Sequence, residues 1–163
     1  MDATADELAG VVDLFGGLTR TELERALAEA AYRADGGSVE ATALETAIED
    51  ALESFALVRY EPDGDDVGPD GEALLVAGPA AFPTVPEEAE DVPHILGIDR
   101  RRLDREALGE AAGERLREAV ETAVEAENAE RVRTLIDVTY DLEAWAPIDC
   151  TAERTRLEAR LGE

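Results

Sequence analysis

The sequence predicts an α+β fold, mostly α: three helices and a β-hairpin, then a C-terminal helical hairpin. Apolar residues recur at helical spacing through most of the 163 residues. Three Thr–Glu pairs, three residues apart, stand at the heads of such runs. That is the spacing of a capping box, in which each side chain satisfies the other residue's backbone donor. Strand-like runs occur at only two places, residues 57–61 and 72–77.

The first helix starts at Thr4, boxed with Glu7, and presents Leu8, Val11, Val12 and Phe15 before Gly16-Gly17 ends it. The second starts at Thr19, boxed with Glu22, with Leu18 and Leu23 as a hydrophobic staple. Its apolar stripe is Leu23, Leu27, Ala30 and Ala31, Glu29 and Arg33 face outward, and Gly36-Gly37 stops it. The third begins between Ser38 and Thr42, where Thr42 and Glu45 make the last box, and buries Leu44, Ile48, Ala51, Leu52 and Phe55. Strands at Leu57–Glu61 and Glu72–Ala77 flank the polar loop PDGDDVGPDG, which Pro and Gly keep irregular. Residues 1–78 therefore read as one unit.

Residues 79–99 read as an acidic, Pro-rich connector. Four prolines in GPAAFPTVPEEAEDVP forbid a long helix or a central strand. Phe82, Val85 and Ile95 are expected to pin the segment to a surface. Residues 100–163 read as helical and packed on the first unit. One helix starts at Asp104, with Leu108, Ala112, Leu116, Ala119, Val120 and Ala123 on one side. After a break near Asn128, another carries Val132, Leu135 and Ile136 and weakens at Val138-Thr139. TYDLEAWAPID reads as a docked irregular segment with Tyr140 and Trp145 as core anchors. Thr151 caps a last short helix bearing Leu157 and Leu161.

Three helices followed by a hairpin is the element order of a winged helix, which residues 4–78 resemble in that respect. The stretches DELAGVVDLFGGLTRTELERAL, GPAAFPTVPEEAEDVPHI and TYDLEAWAPID together resemble an uncharacterised haloarchaeal protein family. That resemblance implies a high-salt habitat and transfers no functional residue.

Charge points the same way. Forty acids against 15 bases give −25, and every base is Arg. At ~1 M salt the Debye length is about 3 Å, so the self-repulsion of such a surface is largely screened. The apolar periodicity argues against a disordered acidic chain. The charge is uneven: residues 62–99 hold 10 acids and no base, whereas residues 100–163 hold 16 acids and 11 Arg. No run is long and apolar enough for a membrane helix, and MDATADELAG lacks the positive and apolar regions of a signal peptide. The expected location is the cytoplasm. A single cysteine, Cys150, excludes an internal disulfide and a cysteine zinc cluster.

Catalytic motifs are missing, so no enzyme, cofactor or metal site is expected. The loop Asp63-Gly64-Asp65-Asp66-Val67-Gly68 resembles half of a calcium loop, but Val67 and Leu74 occupy positions that need oxygen ligands. His94, flanked by apolar residues, reads as a packed or hydrogen-bonded histidine. Cys150 beside Asp149 reads as a poor nucleophile. On the would-be recognition helix the outer face offers Glu40, Glu45, Glu49, Asp50 and Glu53 and no base, the wrong sign for phosphate. A non-enzymatic protein-interaction or regulatory module with an unknown protein partner is the leading expectation. The alternative is a DNA-binding transcriptional regulator that uses the basic cluster Arg100, Arg101, Arg102 and Arg105. Asp99, Asp104 and Glu106 interleave with those arginines, which also fits intramolecular neutralisation.

Overall fold

A computed structural model describes residues 4–36, 40–61, 73–85 and 89–162. It is an α+β structure, mostly α, and divides into two compact units, Met1–Leu103 and Asp104–Glu163.

In the first unit, helix α1 (Ala5–Phe15) begins with the capping box read from the sequence: Glu7 N–H donates to Thr4 Oγ1 at 3.1 Å and Thr4 N–H to Glu7 Oε1 at 3.3 Å. Leu8, Ala9, Val11, Val12 and Phe15 are all fully buried. A helix apolar on nearly every side belongs inside a fold, and α1 is the element the others surround. Strand β1 (Leu18–Thr19), α2 (Arg20–Asp35), α3 (Ala41–Glu53), β2 (Leu57–Tyr60) and β3 (Leu74–Ala77) follow. The three strands make one antiparallel sheet in the order β1-β3-β2, with Leu18 opposite Leu75 and Val58 opposite Val76. All four β3 residues are buried, as an unbroken apolar run in a central strand requires. The hairpin is thus where the sequence places it. Strand β1 is an addition, since two residues carry no periodicity.

Helix α3 starts within the expected range, but its cap is Glu40 rather than Thr42. The Glu40 carboxylate accepts from Thr42 N–H at 3.1 Å and Ala43 N–H at 2.8 Å. Those two bonds, Ala43's first, hold its pKa below the ordinary range. At the other end Phe55 is left-handed, φ 64°, with Phe55 and Ala56 N–H donating to Leu52 and Ala51 carbonyls. That is a Schellman closure with Phe where Gly is usual, held there by complete burial of the ring.

The segment after β3 is anchored through its backbone. Thr84 N–H donates to Asp6 O at 3.0 Å and Phe82 N–H to Asp6 Oδ1 at 3.1 Å. Gly10 makes the approach feasible, because a Cβ there would lie 2.2 Å from Thr84 O. The expectation that Phe82, Val85 and Ile95 pin this segment is not met. All three are exposed, Phe82 by 80%, and the small buried residues are Ala89 and Val92. A short helix, α4 (Val92–Leu96), forms where irregular chain was expected. Pro93 sits in its first turn, where a missing N–H costs no intrahelical bond. The calcium-like loop at Asp63–Gly68 lies outside the described residues.

In the second unit α5 (Arg105–Glu125), α6 (Ala129–Trp145) and α7 (Thr151–Leu161) each pack on the other two. Asp104 caps α5, accepting from Glu106 N–H at 3.2 Å, and Asn128 caps α6, accepting from Arg131 N–H at 3.1 Å. Helix α6 does not weaken at Val138-Thr139, and the segment read as irregular is helical as far as Trp145. β-Branched residues cost a helix under ~1 kcal/mol each. Burial of Leu135, Val138 and Leu142 at helical spacing outweighs that. Nor are the two aromatics core anchors. Tyr140 is 55% exposed with the Arg154 guanidinium 3.8 Å from its ring centre, and Trp145 is half-buried beneath Arg105 at 4.8 Å. The N-cap of α7 is Cys150 rather than Thr151, and Asp149 just before it accepts from Thr151 N–H at 2.9 Å. Gly113 leaves room for Ile148, whose Cδ1 would lie 2.5 Å from an added Cβ.

Gly10→Ala should destabilise the protein by roughly 2–3 kcal/mol, because the new methyl meets fixed backbone. Helix propensity alone would make the same change favourable by about 1 kcal/mol. Urea unfolding midpoints of Gly10→Ala and wild type decide which effect wins.

Candidate functional site

Two surfaces could carry function: the outer face of α3 and the arginines before α5. On α3, Glu45, Glu49, Asp50 and Glu53 are all exposed, as is the capping Glu40. The buried face of Leu44, Ile48 and Ala51 turns them outward. Arg20 reaches Glu49 from α2 at 3.0 Å, an exposed pair. The helix itself contributes no base. Such a face attracts cationic groups and repels phosphates.

The arginines have a different arrangement. Helix α1 ends without a basic residue in its last turn, leaving its C-terminal carbonyls without a cationic partner of their own. Residues 100 and 101 supply it from 86 positions downstream. Arg100 Nη1 donates to Asp13 O at 2.7 Å and Leu14 O at 3.2 Å, and Arg101 N–H to Phe15 O at 2.7 Å. The Arg101 side chain donates to Gly17 O at 2.9 Å and grips Glu22 with both nitrogens, at 2.6 Å and 3.0 Å. Glu22 is 6% exposed and also accepts from Thr19 N–H at 3.0 Å, so one carboxylate closes the α2 capping box and holds Arg101. Arg102 is exposed, and Arg105 lies over Trp145. The structure therefore engages Arg100 and Arg101 at a helix end and gives Arg105 a ring to stack on. Sequence reasoning found both the capping box and the basic cluster. It missed that they meet, because no local pattern links residue 22 to residue 101.

Burial by itself pushes the Glu22 carboxyl up, but the Arg101 guanidinium and the Thr19 N–H together hold it below the ordinary range. A lowered folded-state pKa means stability that is present above the unfolded-state value and lost as pH falls through the folded one.

A second polar knot lies in the other unit. Arg154 is paired with Glu143, donates to Thr139 Oγ1 at 3.0 Å and stacks on Tyr140. Glu143 also accepts from Cys150 N–H at 2.9 Å. That bond, with Arg154, keeps its pKa below the usual range. Cys150 is buried, and burial followed by the nearby Glu143 and Glu153 charges pushes its thiol up to about 11. It is protonated at neutral pH and a poor nucleophile. His94 is exposed rather than packed. Among the described residues no group of three or more His, Cys, Asp or Glu is placed to hold a metal ion, and no helix is long and apolar enough to cross a membrane.

Arg101→Gln should cost ~3 kcal/mol, since it leaves Glu22 buried without its cation. Arg102→Gln, on an exposed side chain, should stay within about 0.5 kcal/mol of wild type. Chemical denaturation of the two variants checks this. In a thiol-titration assay at pH 8, Cys150 should stay unreactive in the folded protein and react only when denaturant opens the second unit.

A family model described as a family of unknown function (DUF7109) matches residues 6–162. No curated protein and no solved structure matches the chain.

Proposed function

We propose that this chain, which belongs to DUF7109, is a non-enzymatic interaction module whose first unit is a winged helix turned from nucleic acid to protein. The carrying observation is the exposed face of α3, with Glu45, Glu49, Asp50 and Glu53 and no base. Three helices, a short strand between the first two and a hairpin after the third, all in one antiparallel sheet, support the winged-helix reading. A recognition helix that enters a DNA groove needs Lys or Arg to displace counterions. This one would meet a partner with a basic surface instead. The engagement of Arg100 and Arg101 at the end of α1 weighs against the alternative of DNA binding through the basic cluster.

The setting of this reading is the cytoplasm of a halophilic archaeon. Its support is the −25 charge, carried without a single lysine. On α5 the acids Glu106, Glu110, Glu114 and Glu118 recur every fourth residue, all exposed, so neighbouring like charges destabilise the helix unless salt screens them.

Affinity purification of the tagged protein in molar KCl, with and without nuclease, tests the module. A protein retained in stoichiometric amount after nuclease, and lost with Glu45→Arg/Asp50→Arg while the circular dichroism spectrum is unchanged, is the expected result. Recovery of nucleic acid, with co-purifying proteins lost after nuclease, would overturn the reading. Independently, the melting temperature should fall when KCl is diluted from molar concentration to ~0.1 M, where the Debye length is about 10 Å; an unchanged melting temperature would sink the halophilic part.

A further inference from the structure

A concave site lies in the first unit where the start of α2, the end of α3 and strands β2 and β3 converge. It encloses about 380 Å³ and is lined by Arg20, Thr21, Glu49, Leu52, Arg59, Ala73 and Leu75. That volume is in the range of small-molecule clefts, roughly 300–1,000 Å³. We propose that this cleft binds a small aliphatic carboxylic acid, its carboxylate held between Arg20 and Arg59 and its hydrocarbon body on Leu52, Ala73 and Leu75.

The chemistry of the lining is unlike the rest of the unit. Residues 1–61 hold 14 acids and only four bases, and two of those four arginines face this one cleft. Their positions are fixed by different elements, one at the start of α2 and one on β2, whose residue Arg59 pairs with Leu75 across the sheet. Each guanidinium is only partly used. Arg20 donates through Nη2 to Glu49 Oε1 at 3.0 Å, and Arg59 through Nη2 to Glu61 Oε1 at 3.4 Å. A guanidinium carries five N–H donors in a rigid fork that matches a carboxylate. In Arg101 both terminal nitrogens are bonded to a carboxylate; in Arg20 and Arg59 a single nitrogen is, among the described residues. Their side chains are 40% and 66% exposed, so each guanidinium is accessible to an incoming anion. Apolar groups line the same cleft: Leu52 is half-buried, and Leu75, a core residue of β3, stands directly across the sheet from Arg59. Two guanidinium forks beside aliphatic side chains in one cleft favour a carboxylate with a short apolar chain over a wholly hydrophilic anion. This inference does not depend on the protein partner proposed above.

The test is a titration of the ¹⁵N-labelled full chain in molar KCl with isovalerate and, separately, with inorganic phosphate. Isovalerate should give saturable amide shifts at Thr21, Arg59 and Leu75. In Arg20→Gln/Arg59→Gln the apparent affinity should fall at least about tenfold, as loss of two charge-assisted contacts requires. Both positions are exposed, and an unchanged spectrum away from the cleft shows that the variant is folded. Binding of phosphate but not isovalerate would overturn the carboxylate assignment. Shifts that do not saturate, or that persist in the double variant, would overturn the site.

Discussion

The pairing of Arg101 with Glu22 is the contact on which the first unit depends. Glu22 is nearly buried, and a buried carboxylate without a partner costs several kcal/mol. It is needed where it stands because it closes the α2 capping box on Thr19. Arg101 makes that burial tolerable and, through its own amide, ties the chain to Phe15 O at the end of α1. A segment 79 residues away in sequence is thereby fixed between two helix ends. The close fit of its backbone is visible at Gly16, where a Cβ would lie 2.0 Å from Arg101 O.

Arginine suits this task better than lysine. Its planar fork can hold both oxygens of one carboxylate while a further N–H reaches a carbonyl, as Arg101 does with Glu22 and Gly17. Arg154 repeats the solution in the second unit, joining Glu143 on α6 to Thr139 while its flat face covers Tyr140. The exposed acids of α3 and α5 follow from the overall composition, 40 acids against 15 bases.

What the sequence made legible was local. The Thr4–Glu7 and Thr19–Glu22 boxes, the strands near 57 and 75 and the start of α5 at Asp104 all rest on contacts within a few residues, and each is present. What it hid was long-range. Strand β1 exists because β3 pairs with it. Helix α6 runs through Val138-Thr139 because tertiary burial outweighs a modest propensity cost. Phe82 is expected from its apolar character to pin its segment to a surface, and Tyr140 and Trp145 to anchor a core, whereas backbone bonds to Asp6 hold the segment and cations lie above the two rings. The candidate site divided in the same way. The acidic face of α3 could be read from helical spacing alone. The role of Arg100 and Arg101 could not, because their acceptors are carbonyls of another helix.

The most direct measurement is the titration of the Glu22 carboxyl by ¹³C NMR, in wild type and in Arg101→Gln. With Arg101 in place Glu22 should titrate below the ordinary glutamate range. Without it the midpoint should move upward, because burial, the largest single influence on this group, then stands with less to oppose it. An ordinary midpoint that is the same in both proteins would show that Arg101 does not hold Glu22, and the arginines before α5 would again be available to a partner.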